Sequence, residues 1–133
     1  MTEKTYAATD ENLDSVLAFI EEELEKADCP MKIVMQITVC VEEMYVNVAH
    51  YAYGEDGGDV TVSFDYTDGK ASITLTDSGM PFDPLAKEDP DITLTAEERK
   101  IGGLGIFMVK KSMDEVAYQR KDGKNIFTMV KAF

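Results

Sequence analysis

The chain has 133 residues, enough for one domain with one core, and a hydrophobic content of 44% separates it from disordered segments. Twenty-six acidic against 13 basic residues give a net charge of −13, which repels phosphate backbones and anionic lipid and argues against nucleic-acid and membrane-surface roles. No apolar run approaches a membrane span and no secretory leader opens the chain, so the two cysteines, Cys29 and Cys40, read as reduced thiols of a cytoplasmic protein.

In chain order, Thr5 to Ala8 reads as a short edge strand. Thr9 or Asp10 then caps a helix whose buried stripe is Leu13, Val16, Leu17, Ile20 and Leu24. Glu21, Glu22, Glu23 and Glu25 form its solvated face or a surface for a partner. Pro30 sits in the first turn of a second, longer helix that runs to about Tyr53. Its apolar positions, Ile33, Ile37, Val41, Met44, Val48 and Ala52, recur at helical spacing. After the turn at residues 54–58 the period falls to two. Val60, Val62, Phe64 and Tyr66 alternate with polar residues, Asp68-Gly69 marks a hairpin, and Ala71, Ile73 and Leu75 return to Asp77. Residues 78 to about 101 hold three prolines and no period, a length of loop that is uncommon in a compact domain and usually functional. Gly102-Gly103-Leu104-Gly105 then opens a helix with Ile106, Val109 and Met113 on one face. Val116–Gln119 and Ile126–Val130 read as a last hairpin. Runs of strands beside runs of helices predict an α+β two-layer sandwich with a mainly antiparallel sheet, in a single domain over residues 1–133.

Three stretches carry chemistry. Glu43 and Asn47 lie one helical turn apart on one face, where two oxygen-bearing groups suit a hydrated Mg²⁺; alone, the pair reads better as a solvated face. Asp77 closes a strand ahead of Gly79, and a carboxylate there can accept from the exocyclic amine of adenine or end the strand in an Asx turn. The glycines at 102, 103 and 105 let backbone N–H groups meet an anion at a helix N-terminus, or make a hinge. They do not form the dinucleotide fingerprint, since Met108 stands in place of its third glycine, and no Walker A sequence occurs.

An E-x-x-x-N helix, then D-x-G-x-P-F-D-P, then G-G-L-G-I, in this order over nearly the whole chain, resembles the GHKL ATP-binding fold of gyrase, a heat-shock chaperone, histidine kinases and MutL. Within it the chain looks most like the stand-alone anti-sigma factor and serine-protein-kinase branch. The resemblance implies that Asn47 ligates a Mg²⁺ bridging the phosphates of ATP and that Glu43 is the general base or orients the attacking group through water. Glu42 lies about 100° around the helix, and the four-residue spacing to Asn47 favours Glu43. Asp77 would hold the adenine amine with Gly79 giving it room, Gly103 and Gly105 would cradle phosphates, and Thr128 would support the adenine pocket through water. Residues 85–101 would be the ATP lid, with Lys87, Arg99 and Lys100 neutralising phosphate. The branch often carries a histidine four residues after the asparagine; here that position is Tyr51, and His50 is given no role.

The resemblance further implies a cytoplasmic serine/threonine protein kinase that phosphorylates a STAS-domain antagonist, takes a sigma factor as its other partner, and pairs through the exposed face of its sheet and neighbouring elements. The alternative is a module that binds ATP or ADP and selects partners without transfer. A fragment of a sensor histidine kinase is disfavoured, because no helix with a phospho-accepting histidine is present.

Overall fold

The computed structural model describes residues 1–86 and 103–133. The strands β1 (Thr2–Ala7), β2 (Asp59–Thr67), β3 (Lys70–Asp77), β4 (Glu115–Lys121) and β5 (Lys124–Ala132) form one sheet in the order β1-β2-β3-β5-β4. Every pairing is antiparallel, as the alternation of period two requires. Both tight hairpins turn on an Asp-Gly pair. Asp68 and Gly69, then Asp122 and Gly123, all have positive φ between 54° and 76°, the backbone that matches strand twist.

The same alternation sends one side of the sheet inward. Val60, Val62 and Phe64 from β2, Ala71, Ile73 and Leu75 from β3, and Phe127 and Met129 from β5 are buried. They face a layer of three helices: α1 (Leu13–Lys26), α2 (Met31–Tyr51) and α3 (Gly103–Ser112). Val16, Ile20 and Leu24 of α1, Ile37 and Val41 of α2, and Val109 of α3 complete the core. Helix α2 packs against both α1 and α3. The architecture is the expected two-layer α+β sandwich, with β1 at one edge.

Three local details differ from expectation. The first strand begins at Thr2, because its pairing with Phe64 of β2 extends beyond any apolar signal in β1. No side chain caps α1; a 3₁₀ turn at Asp10–Asn12 precedes it instead. That turn is tied down by Tyr45, a fully buried residue of α2 absent from the expected stripe. Its hydroxyl donates to the Thr9 carbonyl at 2.6 Å and accepts from the Thr9 amide at 3.2 Å. Pro30 stands just ahead of α2 with ψ 142°, so it precedes the first turn.

Candidate functional site

The site lies at the end of the sheet where β3 finishes and β5 begins, under the C-terminal half of α2. Asp77 takes the last inward position of β3, after Ala71, Ile73 and Leu75, so a carboxylate continues a row of core residues and is 5% exposed. A buried carboxylate needs donors. Its Oδ1 has two, the Gly79 amide and Asn125 Nδ2, each at 2.9 Å. The chain then turns hard against α2: the Met80 amide donates to the Ala52 carbonyl at 2.9 Å. A Cβ on Gly79 would overlap that carbonyl, which explains the glycine better than backbone freedom does.

Asn125, also 5% exposed, stands directly across the β3–β5 pairing from Asp77. Its Nδ2 also donates to the Met80 carbonyl at 2.8 Å, while its Oδ1 accepts from the Tyr118 hydroxyl at 2.5 Å and the Phe82 amide at 3.3 Å. Arg120 adds a bond from Nη1 to the Gly79 carbonyl at 2.8 Å. Together these clamp residues 77–82 into one conformation.

A narrow cleft, partly open to solvent, runs from this network towards α2. Leu75, Phe82, Phe127 and Met44 give it apolar walls, and Asp77 and Asn47 both line it. Asn47 Nδ2 donates to the Glu43 carbonyl at 2.7 Å and lies 3.2 Å from Glu43 Oε1. Both amide protons are thereby directed at Glu43, which leaves Oδ1 as the group Asn47 can present to a cation. Helix α3 begins beside this turn. A Cβ on Gly105 would overlap the Glu43 carboxylate, so the first turn of α3 presses against the catalytic candidate.

Asp77, Gly79, Glu43, Asn47 and Gly105 are therefore brought to one cleft and its mouth. Gly103 opens α3, so both glycines lie inside the first turn of the helix and not ahead of it. Thr128 is not brought there. It is an odd number of residues from Asn125, so strand alternation turns it to the other face of the sheet, where its hydroxyl meets that of Thr74 at 3.1 Å. Its expected place beside Asp77 belongs to Asn125. Lys87, Arg99 and Lys100 lie outside the described residues, as does the expected lid beyond its first turn at Pro84–Ala86. His50 Nε2 sits 2.8 Å and 2.9 Å from the two oxygens of Asp10, tying the end of α2 to the 3₁₀ turn.

Cys40 lies on the buried face of α2. Burial pushes its thiol above the usual 9.0, against a hydrogen bond with Ser112 and the charge of Lys131, which act the other way. No group of three or more His, Cys, Asp or Glu side chains that could hold a metal occurs among the described residues. A hydrated Mg²⁺ needs no such cage, because it keeps waters and takes few protein oxygens. Among the described residues no helix is long and apolar enough to cross a membrane.

A family model described as a histidine kinase-like ATPase domain matches residues 6–131. The serine-protein kinase RsbW of Listeria monocytogenes is 28% identical over 95 residues, 68% of this chain and 60% of that protein. RsbW of Bacillus cereus is 27% identical over 92 residues, 66% of this chain and 58% of that protein. The chain thus spans less than two thirds of the length of these relatives. Among solved structures, the RsbU and RsbW domains of Rv1364c from Mycobacterium tuberculosis superpose with a TM-score of 0.69 at 16% identity, covering 99% of this chain and 32% of that one. The SiaB–SiaC complex from Pseudomonas aeruginosa gives 0.62 at 16%, covering 100% and 90%. At such identity the likeness is one of fold.

Proposed function

The chain belongs to the histidine kinase-like ATPase domain family, and from that membership we propose that it binds Mg²⁺-ATP in this cleft and transfers the γ-phosphoryl group to a serine or threonine hydroxyl of a protein partner. The observation that carries the reading is the pairing of two buried groups in one cleft. Asp77 offers a carboxylate to a base, and Asn47 offers an amide oxygen to a cation. Between them the walls are apolar, as an adenine ring requires.

The steps follow from the residues. Asp77 Oδ2 accepts from the exocyclic amine of adenine. The first turn of α3, with Gly103 and Gly105, directs N–H groups and the positive end of the helix at phosphate oxygens. Asn47 Oδ1 would hold Mg²⁺, which when bound neutralises phosphate charge. Glu43 accepts the proton of the attacking hydroxyl as its oxygen bonds to the γ-phosphorus and the bond to the β-phosphate oxygen breaks, releasing ADP. Lys87, Arg99 and Lys100, on a lid over about 85–101, would supply further positive charge.

The partner we propose is a STAS-domain antagonist, with a sigma factor as competitor, in a cytoplasmic switching pathway. Support comes from relatives named serine-protein kinase RsbW and from the surface itself. Met31, Met35 and Val39 form an exposed apolar stripe on α2, and Glu21, Glu22 and Glu25 are exposed on the neighbouring α1. An exposed apolar stripe beside acidic residues suits a protein with a basic, partly apolar face. Pairing of two copies through the open face of the sheet belongs to the same reading.

Calorimetry with Mg²⁺-ADP tests the nucleotide site. The parent chain should bind in the micromolar range. Asp77→Asn, which places an amide donor toward the adenine amine, should weaken binding by about a hundredfold, as loss of a charge-assisted hydrogen bond at a buried site does. Equal affinity of parent and variant would remove Asp77 from the site and overturn the reading.

A further inference from the structure

We propose that Asn125 and Tyr118 set the base specificity of the cleft, by holding the Asp77 carboxylate in the one orientation that turns its remaining acceptor oxygen to the ligand. The inference rests on the nucleotide reading above and adds to it the two residues that make Asp77 selective.

An asparagine side chain has two donors and two acceptor positions, and all four of Asn125's are used. Nδ2 donates to Asp77 Oδ1 and to the Met80 carbonyl, and Oδ1 accepts from the Tyr118 hydroxyl and the Phe82 amide. Exchanging the two amide atoms would set Oδ1 against two acceptors and Nδ2 against the Phe82 N–H. Only one orientation of the amide satisfies its neighbours. The Tyr118 hydroxyl then serves as a donor, and it reinforces that orientation from the far side.

The consequence passes to Asp77. With Oδ1 occupied by Asn125 and by the Gly79 amide, its carboxylate cannot turn, and Oδ2 is the acceptor left for the cleft. A carboxylate oxygen held in that way accepts from an amino group and rejects a carbonyl, because two acceptors would face each other with no water between them. Adenine presents an amino group at its six-position, whereas hypoxanthine and guanine present a carbonyl. Asn125 is therefore a positioning residue acting through Asp77, and Tyr118 acts through Asn125. The same amide holds Met80 and Phe82, so the lip of the cleft and the orientation of Asp77 are set by one side chain.

The test compares Mg²⁺-ADP and Mg²⁺-IDP, the hypoxanthine analogue, by calorimetry on the full chain, with melting temperatures recorded for each variant. The parent should prefer ADP by at least about a hundredfold. Asn125→Asp keeps the shape but sets an acceptor against Asp77 Oδ1 and the Met80 carbonyl; Asn125→Ala removes the donor. Each should cut the ADP-to-IDP preference by about tenfold or more, beyond any common loss of affinity for both. Tyr118→Phe, the mildest change, keeps the ring that lines the cleft and should lower the preference by a few-fold. Folded variants that weaken ADP and IDP equally would show a merely structural role and overturn the proposal. Variants that keep the parent's affinity and preference would overturn it as well. A parent chain that binds neither nucleotide would overturn the nucleotide reading itself, and a parent that binds both equally would overturn only the specificity inference.

Discussion

Gly105 brings no functional group to the site, yet its missing Cβ is what lets α3 approach Glu43. Gly79 plays the same part against the Ala52 carbonyl. The two glycines differ in what stands opposite them, and so should their alanine variants. Opposite Gly105 is the end of a flexible side chain, which can swing away. Gly105→Ala is expected to melt close to the parent but to displace the Glu43 carboxylate and lose phosphoryl transfer by about a hundredfold or more. Opposite Gly79 is backbone, which cannot yield cheaply. Gly79→Ala is expected to destabilise the fold by roughly 1–3 kcal/mol. Chemical denaturation beside a transfer assay separates the two. Glu43, Asn47 and Asp77 were legible as candidates because each announces itself locally, by helical spacing or by its place at the end of an alternating strand. Asn125 was not, because its meaning comes from the β3–β5 pairing, and α3 and β4 both intervene between β3 and β5 in the chain. Thr128 was misplaced for a related reason. β5 has apolar residues at both parities, Phe127 and Met129 on one face, Ile126 and Val130 on the other, so composition alone does not say which face is inward.

At the scale of elements, one phenol joins β1, the 3₁₀ turn and α2, beside the His50–Asp10 contact. The Tyr45 hydroxyl serves both backbone groups of Thr9. Tyr45→Phe removes these bonds, while the Thr9 amide keeps the Ala7 carbonyl and the Thr9 carbonyl keeps the Asn12 amide, so the loss should cost only about 1 kcal/mol at neutral pH. Burial raises the Tyr45 phenol above its usual 10.0. A group whose folded pKa is raised contributes stability below its unfolded value and loses it as pH climbs towards the folded one. The gap between Tyr45→Phe and the parent should therefore narrow above about pH 10. Urea denaturation at pH 7.5 and pH 10.5 measures both values; a gap that widens would contradict the assignment. Helix existence and strand order of appearance were readable from period alone, since α2 and β2 have long, clean patterns. The first strand was read three residues short because β1 is almost wholly exposed and has no apolar alternation to announce it.

For the molecule as a whole, the sheet covers one face of the core and the helices the other, which leaves the cleft at one end and the outer helical surface free for a protein. The net charge of −13 repels an anionic nucleotide from the open surface, so under the proposed reading its phosphates would need the shielded mouth between α2 and α3. The same charge favours a partner with a basic face. The fold class followed from the order of periods along the chain, while the partner is a property of surface, and surface residues carry no periodic signal.

The central claim is phosphoryl transfer to a protein hydroxyl, and intact mass of the partner tests it most directly. Proteins that bind this chain in Mg²⁺-ADP are captured from the source lysate, then weighed before and after incubation with Mg²⁺-ATP and either the parent or Glu43→Gln. The expected result is a gain of one phosphate on a captured partner with the parent, absent with Glu43→Gln. Nucleotide-dependent capture with no mass gain would contradict the claim, leaving a nucleotide-gated binder in which Glu43 is no base.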